Sequence, residues 1–274
     1  MSVGRKELIR RVKRWGQHFL VDTDMLHKIV DYGAPQEGEV ILEVGAGTGN
    51  LTSILQQRAS KVIAIEKDPT LANLLRRRFR NKSNVEIVEG DILKIALPAF
   101  DKVISSPPYY ISSKLIFLLL KHDIDSMTMT LQKEFASRLV AKPGSHQYGR
   151  LTVAVQHRAN VELLDFISRE AFRPEPRVDS HIVRIVPKHK NTGVDEAFLD
   201  GMLRHLFSQR RRVLRGVLKR AMLSLYDSPE SLVGHEPLLQ KRIFQLTTQE
   251  LEDLSSRLYP HRRLFRFQMN THAS

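Results

Sequence analysis

The sequence predicts an α/β fold, a mostly parallel sheet with helices on both faces, followed by a smaller all-helical C-terminal domain. Three observations lead there. Over residues 1–189, short apolar runs alternate with longer segments of helical period. A glycine-rich turn joins the first clear run to the helix after it. Beyond residue 190 every apolar pattern has helical spacing. A chain of 274 residues is long enough for one large or two ordinary domains with a real hydrophobic core.

Taken in order, strands are expected at 40–44, 61–65, 85–88, 102–105, 127–131, 151–156 and 182–186. Helices are expected at 23–32, 51–58, 70–80, 113–121 and 133–140. The last strands follow one another with no helix between them, so the sheet should end in antiparallel pairs. The short, polar, basic segment 187–193 marks a boundary near 190, giving domains 1–189 and 190–274. In the second domain helices are expected at 194–207, 211–224, 231–233 and 248–258, with Asp195 capping the first.

Composition narrows the function. Hydrophobic residues make up 42% and charged residues 27%, which excludes a disordered chain. There is no cysteine, so no disulfide framework, thiolate metal site or cysteine nucleophile is available. That fits a reducing, cytoplasmic setting. No apolar run is long enough for a membrane span, and the basic N-terminus precedes no apolar signal region. The eleven histidines have no metal spacing, and no metal site is expected; His122, His157 and His205 are isolated. No heptad seam appears, so a monomer is expected.

The net charge of +13 points to a polyanionic partner, most simply nucleic acid. The charge is clustered. Arg5, Lys6, Arg10, Arg11, Lys13 and Arg14 face one acid, Glu7, and Trp15 lies beside them. Between Arg204 and Arg220 there are seven cations and no acid, interleaved with apolar residues at helical spacing. Such a helix repels itself unless an external polyanion neutralises it. Arg11, Lys13 and Arg14 in the arm, and Arg210, Arg211, Arg212 and Arg215 in the helix, are therefore candidate nucleic-acid contacts.

Chemistry gathers at the strand ends. The 40–44 strand runs into Glu43-Val44-Gly45-Ala46-Gly47-Thr48-Gly49-Asn50. Glycines there let the backbone approach a ligand and point amides at it. The second strand ends at Glu66, where a carboxylate can take both hydroxyls of a ribose. Asp68 after it reads as an ordinary helix cap. The third strand ends at Gly90-Asp91, where a carboxylate can accept from an adenine amine. All line the crevice where open α/β sheets bind ligands. In order and spacing the set resembles the Rossmann-like methyltransferases that use S-adenosyl-L-methionine.

The fourth strand ends in Ser105-Ser106-Pro107-Pro108-Tyr109-Tyr110, which resembles the (Asn/Asp/Ser)-Pro-Pro-aromatic motif of exocyclic amine methyltransferases. An adenine amine is a poor nucleophile because its lone pair is delocalised into the ring. A side-chain oxygen and a backbone carbonyl can hold its hydrogens and turn the lone pair toward a methyl donor. Rigid prolines fix the carbonyl, and the tyrosine can stack on an extruded base.

Further motifs make the resemblance specific. Gly16-Gln17-His18-Phe19-Leu20, the run Phe172-Arg173-Pro174-Glu175-Pro176-Arg177-Val178-Asp179-Ser180 and Leu206-Phe207-Ser208-Gln209-Arg210-Arg211-Arg212 resemble signatures of the ribosomal RNA small-subunit adenine dimethyltransferases, and Gln132-Lys133-Glu134-Phe135-Ala136 with Arg150-Leu151-Thr152-Val153 looks most like their archaeal branch. The likeness spans nearly the whole chain and weakens after about residue 225. It implies that His18 and Leu20 lie over the cofactor, that Gly45 and Gly47 serve its methionine part, Glu66 its ribose and Asp91 its adenine. It implies catalytic roles for Ser106, Pro107, Tyr109 and Phe172, with Tyr109 and Phe172 sandwiching the target adenine. It also implies the activity: two methyl groups placed on each of two adjacent adenines near the 3′ end of small-subunit rRNA, on an immature small subunit, during ribosome biogenesis. One departure stands out. The family usually reads Asn-Leu-Pro-Tyr where this chain reads Ser106-Pro107-Pro108-Tyr109, which bears on the rate and on the second methylation. A methyltransferase for large-subunit rRNA or DNA, and a non-catalytic ribosome-assembly factor, remain as alternatives.

Overall fold

The computed structural model describes residues 18–188, 193–222 and 236–265, with Pro229 and Gly234. The chain divides into two compact units. One is built from the chain up to Ala136 with Asn160–Pro187, the other from Ser137–Ala159 with the chain from Lys188 onward.

In the first unit the parallel strands β2 (Val40–Val44), β3 (Lys61–Glu66), β4 (Val85–Glu89), β5 (Lys102–Ser105) and β6 (Ser126–Gln132) join β7 (Ala159–Ile167) and β9 (Ser180–Pro187). The seven-stranded sheet has the order β4-β3-β2-β5-β6-β9-β7. β9 runs antiparallel to β6, pairing Met127 with Ile185 and Gln132 with Ser180. A small second sheet pairs β1 (Phe19–Leu20) with β8 (Phe172–Arg173). The strand order reverses between β2 and β5, the switch point at which an open sheet forms a crevice.

Helices α1 (Thr23–Gly33), α2 (Asn50–Arg58), α3 (Pro69–Arg78), α4 (Ser112–Leu119) and α5 (Lys133–Leu139) connect the strands. Their ends are set locally. Asp22 caps α1 by accepting from Met25 N at 3.0 Å, and Asp68 caps α3 by accepting from Thr70 N at 2.7 Å, the structural role expected of it. The central strands are apolar throughout because both faces are covered. Ile41, Leu42, Val103, Ile104, Met127, Met129, Ile182 and Val183 are all fully buried.

One expected strand is corrected. Residues 151–156 lie in α6 (Arg150–Arg158), and the strand of this region is β7, which begins only at Ala159. Thr152, Val153 and Val155 suggest a strand by type, but packing overrides weak propensity. Thr152 Oγ1 accepts from Gly149 N at 3.1 Å and donates to Arg138 O at 2.7 Å, closing the first turn of the helix. The expected boundary near 190 falls close to the division at Pro187/Lys188. Segment Ser137–Ala159, however, groups with the C-terminal residues, so the second unit is not continuous in sequence.

That second unit contains α6, α7 (Glu196–Ser208), α8 (Leu214–Ala221), α9 (Glu236–Gln240) and α10 (Thr248–Leu258). Asp195 caps α7 by accepting from Phe198 N at 2.8 Å. The 204–220 stretch is not one helix: α7 ends at Ser208 and α8 begins at Leu214. The expected helix at 231–233 lies outside the described residues, as does the end of the one at 211–224.

The buried ring of His157 joins three helices of this unit. Its Nε2 lies 2.8 Å from Glu196 and its Nδ1 2.8 Å from Glu252. Burial alone would lower its pKa, but the two carboxylates outweigh burial and raise it above the ordinary histidine value. The raised pKa means that the stabilisation is full below the unfolded value near 6.5 and is lost as pH climbs through the folded value. The melting temperature is therefore expected to fall by roughly 2–4 °C between pH 6 and pH 9. In His157→Gln that decline should flatten in a thermal scan, and an unchanged slope would remove the ion-pair account.

Candidate active site

The glycine turn after β2 is required by space as well as by conformation. Gly45 and Gly47 have φ of 73° and 58°. A side chain at Gly45 would come within 2.8 Å of Pro108, and one at Gly47 within 2.6 Å of the Phe19 ring. Gly45 N and Ala46 N both donate to Ile65 O, at 2.8 and 3.2 Å, tying the turn to β3.

Glu66 closes β3 and is 3% exposed. Its Oε2 accepts from Gly47 N at 2.9 Å and its Oε1 from Asp68 N at 2.8 Å. Each oxygen keeps a further lone pair, so the carboxylate can still receive two hydroxyls. Burial pushes its pKa up, and the amides pull against that shift. Glu43 is also buried, and Thr52 Oγ1 donates to its Oε2 at 2.6 Å. Burial lifts the Glu43 carboxyl to about 8, against the Thr52 hydrogen bond, with the charge of Glu66 adding to the rise. Asp91 stays ionised. The Lys67 ammonium at 3.0 Å holds its pKa down, and Leu93 N donates to Oδ1 at 3.1 Å.

Two openings meet at this turn and share Gly45, Glu66 and Pro108. One is lined by His18, Leu20, Glu43 and Ser106. The other is lined by Lys67, Asp91, Ile92 and Tyr110. His18, Leu20, Gly45, Glu66, Asp91 and Ser106 are thus brought together, with Gly47 one hydrogen bond away through Glu66. The fit to S-adenosylmethionine is chemical. Acceptors suited to hydroxyls and an amine lie on one side, and the polar side chains of Glu43 and Ser106 line the other opening, where a glycine turn leaves room.

The turn Ser106–Tyr109 is fixed from both sides. Ser105 Oγ donates to Val44 O at 2.7 Å, locking β5 to β2. Ser106 Oγ lies 2.7 Å from Oγ1 of the fully buried Thr130. When Ser106 donates to Thr130, its own lone pairs are left to accept from an amine. Pro107 and Pro108 lead into a 3₁₀ turn at Tyr109–Ile111. The Tyr109 hydroxyl bonds Ser180 Oγ at 2.7 Å, and burial pushes its pKa up to about 12 against that bond, so the phenol is neutral.

The expected sandwich needs correction. Phe172 is fully buried and sits edge-on to Tyr109, with centroids 6.3 Å apart and planes at 68°. The ring more nearly parallel to Tyr109 is His18, at 6.2 Å and 24°. His18 Nδ1 donates to Pro174 O at 2.7 Å, and since a carbonyl only accepts, Nδ1 carries the proton. Phe172 forms a wall behind Tyr109, because its position on β8 turns it into the α1-side core.

Sequence reasoning missed several supporting residues. Thr130, Thr52 and Lys67 carry no motif of their own, and Ser180 closes the Phe172–Ser180 signature without any sign there that its hydroxyl holds Tyr109. Thr130 is found only through the sheet register, which sets Ser105 opposite Met129 and so brings the next residues together.

Of the candidate nucleic-acid contacts, Arg11, Lys13 and Arg14 lie outside the described residues, as does Trp15. Arg211, Arg212 and Arg215 are exposed. Arg210 is the exception. Its guanidinium donates to His146 O at 3.0 Å and Ser145 O at 3.2 Å, and it lies over Phe244 at 5.5 Å. It holds a loop of its own unit, so its substitution tests folding, not RNA contact. Replacing Arg211, Arg212 and Arg215 with Gln is expected to reduce the log–log salt slope of RNA binding by roughly 2 and leave cofactor affinity unchanged. Equal losses of both in titrations at several salt concentrations would make the cations structural.

The sheet order, the glycine turn and the strand-end acids define a Rossmann-like methyltransferase. The family model described as ribosomal RNA adenine dimethylase matches residues 10–229, and the chain belongs to that family. It is 39% identical over 249 residues to the probable ribosomal RNA small subunit methyltransferase A of Thermococcus onnurineus, covering 89% of this chain and 90% of that one. To the protein of the same name from Methanosarcina acetivorans it is 41% identical over 248 residues, covering 89% and 92%. Among solved structures, a dimethyladenosine transferase from Plasmodium falciparum superposes with a TM-score of 0.79 at 29% identity, covering 91% of this chain and all of that one. The 23S rRNA methyltransferase ErmE gives 0.69 at 26% identity, covering 88% and 99%.

Proposed function

We propose that this protein transfers methyl groups from S-adenosylmethionine to the exocyclic amines of two adjacent adenines near the 3′ end of small-subunit rRNA, giving N6,N6-dimethyladenosine during ribosome biogenesis. The observation that supports this reading is that Ser106 lines the opening formed by Gly45 and Glu66, with Tyr109 next in the chain to Pro108 of the same wall. When bound, the cofactor supplies an electrophilic methyl on a cationic sulfur. Glu66 receives the ribose hydroxyls and Asp91 the adenine amine, with the buried Glu43 lining the same opening as Glu66. Ser106, oriented by Thr130, accepts one amine hydrogen of the target base, and the Pro107 carbonyl accepts the other. That holds the nitrogen lone pair toward the methyl, an orientation effect worth several kcal/mol. Tyr109, anchored by Ser180, offers its ring to the extruded base. The exposed cations of the second unit suit phosphate contact. A cytoplasmic monomer acting on immature small subunits completes the reading. Among the described residues no helix is long and apolar enough to cross a membrane.

The deciding experiment incubates the protein with methyl-labelled cofactor and separate small and large ribosomal particles, then maps the modified nucleotide. Label on adjacent small-subunit adenines supports the proposal. Label confined to large-subunit RNA overturns it in favour of the activity named for ErmE. Cofactor and subunit binding without transfer would leave an assembly factor.

A further inference from the structure

Phe166 is an anomaly of the first unit. It is 48% exposed at the end of β7, while the next residue, Ile167, is buried. Neighbouring residues on a strand face opposite sides. Asp165 accordingly pairs with Lys28 of α1 at 2.8 Å, and Phe166 lies on the other face. There the exposed Lys133 places its ammonium 5.4 Å from the Phe166 ring centroid. His181 meets the ring edge-on, with centroids 5.7 Å apart.

The place of this cluster matters more than its composition. His181 follows Ser180, whose hydroxyl holds Tyr109. Lys133 N donates to the carbonyl of Asp179, one residue earlier, at 2.9 Å. The cluster and the catalytic tyrosine are therefore held by consecutive residues of one strand end, on opposite faces of the sheet. A base extruded to Tyr109 leaves its sugar and phosphate at the rim. Residues 179–181 link this rim to the half-exposed Phe166 ring and to the Lys133 ammonium over it. That pairing suits single-stranded nucleic acid, which offers a π-face for stacking and a phosphate for the charge.

We propose that Phe166, with Lys133 above it and His181 against its edge, is a stacking platform for a nucleotide flanking the target adenine. This rests on the RNA-methylating reading of the site. It adds a subsite outside the cofactor cleft, one that selects for single-stranded RNA around the target.

The test uses the full-length protein and a single-stranded, adenine-rich RNA carrying 2-aminopurine beside the target adenine. Wild-type protein should quench the probe on binding. Phe166→Ala should lose the quench and weaken RNA binding by about 5- to 100-fold, the range for one lost base–aromatic stack. Phe166→Tyr should restore both, and Lys133→Ala should weaken binding chiefly at low salt. Cofactor affinity and melting temperature should stay at wild-type values in all three, as expected for exposed side chains. If Phe166→Ala binds the RNA within twofold of wild type with its quench intact, the platform is wrong and the site reading stands. If wild-type protein binds cofactor but no RNA, the reading and the platform fall together.

Discussion

Glu66→Gln should lose S-adenosylmethionine affinity by roughly 30- to 1000-fold, the largest binding defect expected from a single near-isosteric change. Glu66 accepts from Gly47 N and Asp68 N through different oxygens. An amide supplies one oxygen and one NH₂, so one of those backbone donors then faces another donor. The turn that frames the opening loses a charged acceptor and, on the proposed mechanism, so does the cofactor ribose. Losing hydrogen bonds to a buried charge and stranding a buried donor together cost about 2–4 kcal/mol, which spans that range. Calorimetric titration with the cofactor measures the loss directly. Glu66→Asp, with its shorter reach, should fall between the two. Affinity within threefold of wild type would show that the ribose is held elsewhere.

The second large effect is on the chemical step. Ser106→Ala removes the side-chain acceptor to which the proposed mechanism gives the orienting of the amine, and about a 100-fold fall in single-turnover rate is expected, by analogy with loss of one preorganised catalytic hydrogen bond. Thr130→Val is more diagnostic. It keeps the volume but strips Ser106 of its partner at 2.7 Å, leaving the hydroxyl free to rotate and to donate where it should accept. A drop of about tenfold is expected, with cofactor affinity unchanged. The difference should be larger for the second methylation, because a monomethylated amine has one hydrogen left to be held. Ser106→Asn, which restores the residue usual in the family, should speed that second step. Mass spectrometry of the mono- and dimethylated products over time reads all three variants. Equal time courses for wild type, Thr130→Val and Ser106→Asn would mean that this hydroxyl does not position the amine.

Much of this site is legible in the sequence because its residues sit at strand ends. Gly45, Glu66, Asp91 and Ser106 each follow an apolar run, and parallel strands bring such ends to one edge whatever the details of packing. Family motifs carried His18, Leu20, Tyr109 and Phe172. The 151–156 segment went wrong for an identifiable reason: β-branched residues resemble a strand, and only contacts within the second unit make them a helix. Arg210 illustrates the same limit. Its charge is identical to that of Arg211 and Arg212, yet its guanidinium is committed to two backbone carbonyls.

By itself, then, the sequence determined the α/β class, the strand-end chemistry and the basic character of the chain. Those depend on local period, on residue type and on a count of charges. Tertiary structure alone decided which hydroxyl orients Ser106, that Phe172 is a buried wall and not an open face, that 137–159 belongs with the C-terminal unit, and which arginines remain exposed. Each of these is set by a contact between residues far apart in the chain, and neither periodicity nor composition records such contacts. The +13 charge is the clearest case: the sum follows from the residues, but whether a given cation can meet a phosphate depends on what already accepts its hydrogens.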